Sequence, residues 1–189
     1  DYFASVIKTL PEKPILIGHS MGGLLVQLLL QHGIGAAGVA VHSFPPKGVS
    51  RFSFLKTVWV ATGLFSSVQK TYMVSFKKWK HSIANSMTYE QQKELFYKYA
   101  IPESKMVIRD AFKPVAEINF KNEHAPLLFT SGGRDLIIPA SINYDNYKKY
   151  EPGDSITEYK DFKDHNHIVF GGTAWKKEAN YVFNWLQGI

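Results

Sequence analysis

The chain contains no cysteine. That excludes disulfides, thiolate metal sites and a thiol nucleophile among its 189 residues. It also fits a reducing compartment, so a cytoplasmic location is the expectation. Arginine is nearly as scarce: Arg51, Arg109 and Arg134 stand alone among 22 basic residues. Specific nucleic-acid readers lean on arginine for bidentate base contacts. The net charge of +6 therefore reads as a lysine-rich solvated face, with no nucleic-acid partner expected. The run Lys77-Lys78-Trp79-Lys80 reads as an exposed turn of an amphipathic helix. Long apolar runs are missing too. The longest weakly polar stretch, Phe54 to Val68, is broken by Lys56 and is too short for an integral membrane segment. No repeat, low-complexity tract or phosphate-binding glycine loop occurs. His165-x-His167 is half a metal site, and no further ligands at helix spacing complete it. No metal and no cofactor are expected.

Apolar residues make up 45% of the chain, and mean hydropathy is −0.16. Those values, with the length, suit one globular domain with a sizeable core. The most informative segment is Gly18-His19-Ser20-Met21-Gly22. It follows the apolar run Pro14-Ile15-Leu16-Ile17 and opens into Gly23 to His32, a helical pattern ended by Gly33. Strand, sharp turn and helix, with serine at the apex, is what a nucleophile elbow needs. Small neighbours, Gly18 and Gly22, let the backbones pass closely. The bare pattern arises by chance in roughly one chain of this length in fifteen to twenty. Its context decides: the strand is continuously apolar, as strands covered on both faces are.

A serine hydroxyl needs a base, and the base needs an orienting carboxylate. Ala125 to Ser131 reads as a buried strand running into Gly132-Gly133-Arg134-Asp135, so Asp135 falls on the loop at a strand's C-terminal end. Ser155 to Phe162 reads as the next strand, followed by Lys163-Asp164-His165-Asn166-His167. Either histidine of that loop is a candidate. His19 reads as a packing and hydrogen-bonding residue of the elbow. His32, His42, His81 and His124 read as surface or helix-end residues. The closing segment reads as a helix with Trp175, Ala179, Val182, Phe183 and Leu186 on one face.

Three blocks, ILIGHSMGG, LLFTSGGRDLIIP and FKDHNHIVFGGTAWKKEANYVFNWL, together resemble the α/β-hydrolase superfamily, in particular its lid-bearing esterase and lipase branch. The resemblance spans essentially the whole chain. It implies an α/β fold: the C-terminal part of a parallel-sheet core, with a helical lid inserted between core strands. The implied organisation is 1–44 core with the elbow, 45–122 lid, and 123–189 core with the acid and histidine loops. Phe162, His167 and Trp175 match the family's spacing around its histidine, and His165 falls where the family often has Arg. The resemblance assigns Ser20 as nucleophile, His167 as base, Asp135 as the orienting acid and the Met21 backbone N–H as an oxyanion donor. It implies hydrolysis of a small, apolar carboxylic ester through an acyl-enzyme. Thioesterase, lactonase and acyltransferase chemistry are variants of the same triad. A non-catalytic binding protein is the rival from another class.

Four helices are expected in the inserted segment: Phe54–Val68, Tyr72–Ala84, Tyr89–Ala100 and Glu103–Phe112. Thr88 and Gln91 have capping-box spacing, and Pro102 suits the first position of the last helix. Aromatic residues there, among them Trp59, Phe65, Tyr72, Phe76, Trp79, Phe96, Tyr97 and Tyr99, either line a pocket or form the lid's own core. Only thirteen residues precede Pro14, whereas the family normally places four strands ahead of its elbow strand. The first third of the domain is expected to be absent, with the loop that carries a second oxyanion donor. The elbow strand is then expected at an unpaired sheet edge, where a two-fold homodimer would cover it.

Overall fold

The computed structural model describes residues 2–49, 54, 58, 70–150, 153–171 and 174–189. A short helix α1 (Tyr2–Ile7) leads to β1 (Ile15–His19), α2 (Met21–Leu30) and β2 (Ala37–Val41). After an excursion, β5 (Leu127–Gly132), α6 (Ala140–Tyr147), β6 (Thr157–Phe162) and α7 (Trp175–Gln187) complete the core. The four core strands are all parallel, in the order β1-β2-β5-β6. The runs beginning at Pro14, Ala125 and Ser155 thus form strands, as the sequence pattern predicts.

Alternate residues of the central strands face opposite layers, as strand geometry requires. Ala40, Leu127 and Phe129 pack with Val26 and Leu30 of α2 and Tyr147 of α6. Val39, Val41 and Leu128 pack with Val182 and Trp185 of α7. Leu128 and Phe129 are fully buried, each contributing about 1.5–3 kcal/mol. A buried polar tie joins α2 to both sides. Gln27 Nε2 donates to Ser43 Oγ at 2.9 Å, while its Oε1 accepts from Asn146 Nδ2 at 3.1 Å and Tyr150 OH at 3.2 Å. Among the described residues β1 is an edge strand, and Ile15 and Ile17 on it are exposed.

The excursion between β2 and β5 contains a two-residue ribbon, β3 (Thr71–Tyr72) with β4 (Glu103–Ser104). Between them run α3 (Phe76–Lys78), one π-helical turn (Trp79–Ile83) and α4 (Tyr89–Tyr99); α5 (Lys105–Asp110) follows. Thr88 and Gln91 form the expected reciprocal capping box on α4. Pro102 does not open the last helix. Ser104 caps α5, because its hydroxyl accepts the Met106 N–H while the residues before it are held in the ribbon. The expected helix over 54–68 lies almost wholly outside the described residues, as do Trp59 and Phe65. Phe76, Trp79, Phe96 and Tyr97 pack on one another, with ring centroids 5.3–6.2 Å apart. No helix of the described residues is long and apolar enough to cross a membrane.

α7 presents a different face from the one its apolar residues suggest. Glu178, Val182 and Trp185 are buried, whereas Trp175 and Phe183 are exposed. The helix is rotated so that a carboxylate points inward, and the reason lies at the end of β2.

Candidate active site

Ser20 is the residue between β1 and α2, with φ 56° and ψ −116°. Such a conformation in a non-glycine residue costs about 1–3 kcal/mol and persists only where the surroundings fix it. Here three backbone bonds clamp it. Ser20 N–H donates to Val41 O at 2.9 Å, and Ser20 O accepts from Gly23 at 3.0 Å and Phe44 at 2.8 Å. The end of β2 therefore grips the turn from one side. Gly18 is required by close approach, since a Cβ there would run into the Gly22 carbonyl. Gly22 is not crowded; it borders the cleft beside Ser20.

Ser20 Oγ lies 3.2 Å from His167 Nε2, and His167 Nδ1 lies 2.7 Å from Asp135 Oδ2. The carboxylate at Nδ1 fixes the tautomer: Nδ1 carries the proton and donates, and Nε2 is left free to accept from the serine hydroxyl. The candidates from loops after three different strands thus meet at the C-terminal edge of the sheet. His165 goes elsewhere: its Nδ1 lies 2.8 Å from Glu178 Oε2. His19 Nε2 donates to the His167 carbonyl at 2.7 Å and so holds the histidine loop. Burial and the neighbouring His167 and His42 rings push its pKa down to about 3, so it is neutral. Met21 is the first residue of α2, where a backbone N–H has no acceptor within the helix and the helix dipole favours negative charge.

Asp135 is buried and fully coordinated. Its Oδ1 accepts the Ile137 and Ile138 N–H groups, each at 2.8 Å. Its Oδ2 accepts from His167 and, at 3.2 Å, from His42 Nδ1. Burial alone would raise its pKa, but the bonds to His167 and His42 hold it well below the usual carboxylate range. His42 is thus not a surface residue. It is completely buried at the end of β2, with φ 44°, and its Nε2 lies 3.6 Å from Glu178 Oε2. Neither His42 nor Glu178 carries a local sequence signal for this role. A histidine directly after a buried strand, on the sheet edge where the other site loops emerge, was the only pointer.

Two groups of metal-ligating side chains occur among the described residues: His42, His165 and Glu178, and His42, Asp135 and His167. Within each group one pair is already in direct hydrogen-bond contact, at 2.8 and 2.7 Å. Ligands around a tetrahedral ion at about 2.0–2.1 Å stand further apart, about 3.3 Å. The spacing matches hydrogen-bonded pairs better than a cation cage.

Beside Ser20 opens a cleft of about 600 Å³. Met21, Phe44, Ile83, Val107, Ile108 and Ile137 give it mostly apolar walls, and Tyr72 and Lys78 add polar groups. The inserted segment supplies one wall and the loop after Asp135 another.

No protein-family model matches the sequence, and no curated protein matches it. Solved structures do. A methylesterase from Arabidopsis superposes with a TM-score of 0.68 at 15% identity, covering 99% of this chain and 75% of its own. A monoacylglycerol lipase from Paleococcus ferrophilus gives 0.69 at 21% identity, covering 98% and 72%. Tomato methylketone synthase I, in complex with 2-tridecanone, gives 0.71 at 13% identity, covering 98% and 76%. At this level of identity the likeness establishes the α/β-hydrolase fold.

Proposed function

We propose that the chain is a serine hydrolase that cleaves carboxylic esters through an acyl-enzyme on Ser20. The observation that carries this reading is the chain of contacts from Ser20 Oγ through His167 to Asp135 at the edge of an apolar cleft. His167 Nε2 takes the hydroxyl proton as Oγ attacks the ester carbonyl. The negative charge that develops on the carbonyl oxygen is met by the Met21 N–H at the start of α2. His167 then returns the proton to the departing alcohol, leaving the acyl group on Ser20. Water, deprotonated by the same nitrogen, releases the acid and restores the serine. Asp135 stays ionised and stabilises the imidazolium formed in each step.

The walls of the cleft favour a small substrate with an apolar acyl or alcohol part. The inserted segment, residues 45–122, acts as the lid that sets this preference. The named activities of the methylesterase and the lipase support an ester as the bond cleaved. The test is hydrolysis of short-chain p-nitrophenyl esters. Turnover is expected in the parent chain and none above background in Ser20→Ala; undiminished turnover in that variant contradicts the proposal.

A further inference from the structure

The carboxylate that orients His167 has a second histidine on the same oxygen. His42 Nδ1 is 3.2 Å from Asp135 Oδ2, and His42 Nε2 faces Glu178 Oε2 at 3.6 Å, an ion-pair distance. A neutral imidazole has one N–H. With that proton on Nδ1, the lone pair on Nε2 would point at the lone pairs of a buried carboxylate. His42 is 0% exposed, Asp135 3% and Glu178 2%. Two buried carboxylates facing one ring need a positive charge between them. A proton on each nitrogen supplies it.

Resting on the function read for Ser20, we propose that His42 is a cationic positioning residue for Asp135, anchored by Glu178 and His165, whose charge lets the Ser20–His167 pair work at lower pH. The groups that face His42 are few. From β1 comes His19, which is neutral. From the loop after β5 comes Asp135, from the loop after β6 come His165 and His167, and from α7 comes Glu178. His165 Nδ1 donates to the same Glu178 oxygen at 2.8 Å and so fixes the carboxylate. Burial pulls the pKa of His42 down, but the hydrogen bond to Asp135 and the close negative charge of Glu178 outweigh it and raise the value to about 9. The same contacts hold Glu178 low against its burial.

The ring has no room to rotate away. The His42 backbone N–H donates to Thr130 O at 3.0 Å and fixes the residue on the sheet edge, while a Cβ on Gly132 would lie 2.5 Å from His42 Cε1 and 2.5 Å from His165 O. Position 132 must therefore be glycine for His42 and the His165 loop to close on Asp135. The consequence for the reaction is electrostatic. The ring centroids of His42 and His167 are 6.4 Å apart. The His42 charge on Asp135 Oδ2 keeps that carboxylate ionised further into acid, so it goes on orienting the His167 ring.

The test combines spectroscopy and kinetics on the full chain. In ¹⁵N-histidine spectra at pH 7.5, assigned by comparison with His42→Gln, His42 is expected to have both nitrogens protonated. His42→Gln, which keeps a donor but has no charge, is expected to move the acid limb of the kcat/KM profile to higher pH by about one unit or more. Glu178→Gln, which leaves the ring in place with one carboxylate fewer, is expected to bring the His42 titration down in pH. A merely structural role would lower activity evenly across pH. A neutral His42 at pH 7.5, or an unmoved acid limb in folded His42→Gln, overturns the proposal. An enzyme that turns over no ester at any pH overturns the reading of Ser20 and the kinetic half of this proposal, while a cationic His42 signal upholds the charge.

Discussion

Asp135 takes four hydrogen bonds, two from backbone N–H groups and two from histidine rings. With all its acceptor sites filled it cannot rotate, and His167 inherits that rigidity. Asp135→Asn keeps the shape but offers an amide where a carboxylate stood. It is expected to favour the wrong His167 tautomer and lower kcat by roughly 10⁴, measured on a p-nitrophenyl ester. A loss below tenfold would show that the carboxylate does not orient the base. Ser20, Asp135 and His167 were legible from the sequence because each lies in a segment with a local signature: a glycine-flanked turn, or a loop closing a buried strand. His167 was set apart from His165 only by the family's spacing to Phe162 and Trp175; in the structure His165 bonds to Glu178 instead. His42 and Glu178 were illegible. Their roles come from contacts over 93 and 13 positions, and a charged helix residue reads as solvated until a partner is known.

β1 and β5 were the most readable elements, since their apolar runs are continuous and bounded by turn residues. The helices were readable where a reciprocal capping box marks the start, as at Thr88, and not where strand pairing sets the boundary, as at Ser104. α7 is the instructive element. Counting apolar residues places Phe183 inside, yet Phe183 is 60% exposed and Trp185 8%. The buried Glu178 turns the helix toward His42 and His165, so Val182 and Trp185 follow it inward. Trp185→Ala is therefore expected to cost about 3–5 kcal/mol, and Phe183→Ala to stay within about 0.5 kcal/mol of the parent. Urea unfolding of the two variants measures both. Equal losses would place the helix at the wrong rotation.

At the scale of the molecule, buried histidines of opposite habit shape stability against pH. His19 has its pKa lowered to about 3, so the stability it contributes is present above 6.5 and lost as pH falls from there toward 3. His42 has its pKa raised to about 9, so its contribution is full below 6.5 and is lost as pH rises through 9. Asp135 and Glu178, both held low, add a further loss only in the acid range below about 4. The melting temperature is expected to peak near pH 6.5 and fall on both sides. His42→Gln should flatten the alkaline side alone. A melting temperature that climbs steadily from pH 6.5 to 9 would contradict a cationic His42.

The central claim is that Ser20 is an activated nucleophile. Its most direct test is reaction with a fluorophosphonate, followed by mass spectrometry of the intact chain and its peptides. The expected result is one adduct per chain, on Ser20, lost in Ser20→Ala and strongly slowed in His167→Ala. No adduct on the folded parent chain, or an adduct on another residue with Ser20 unmodified, would contradict the claim.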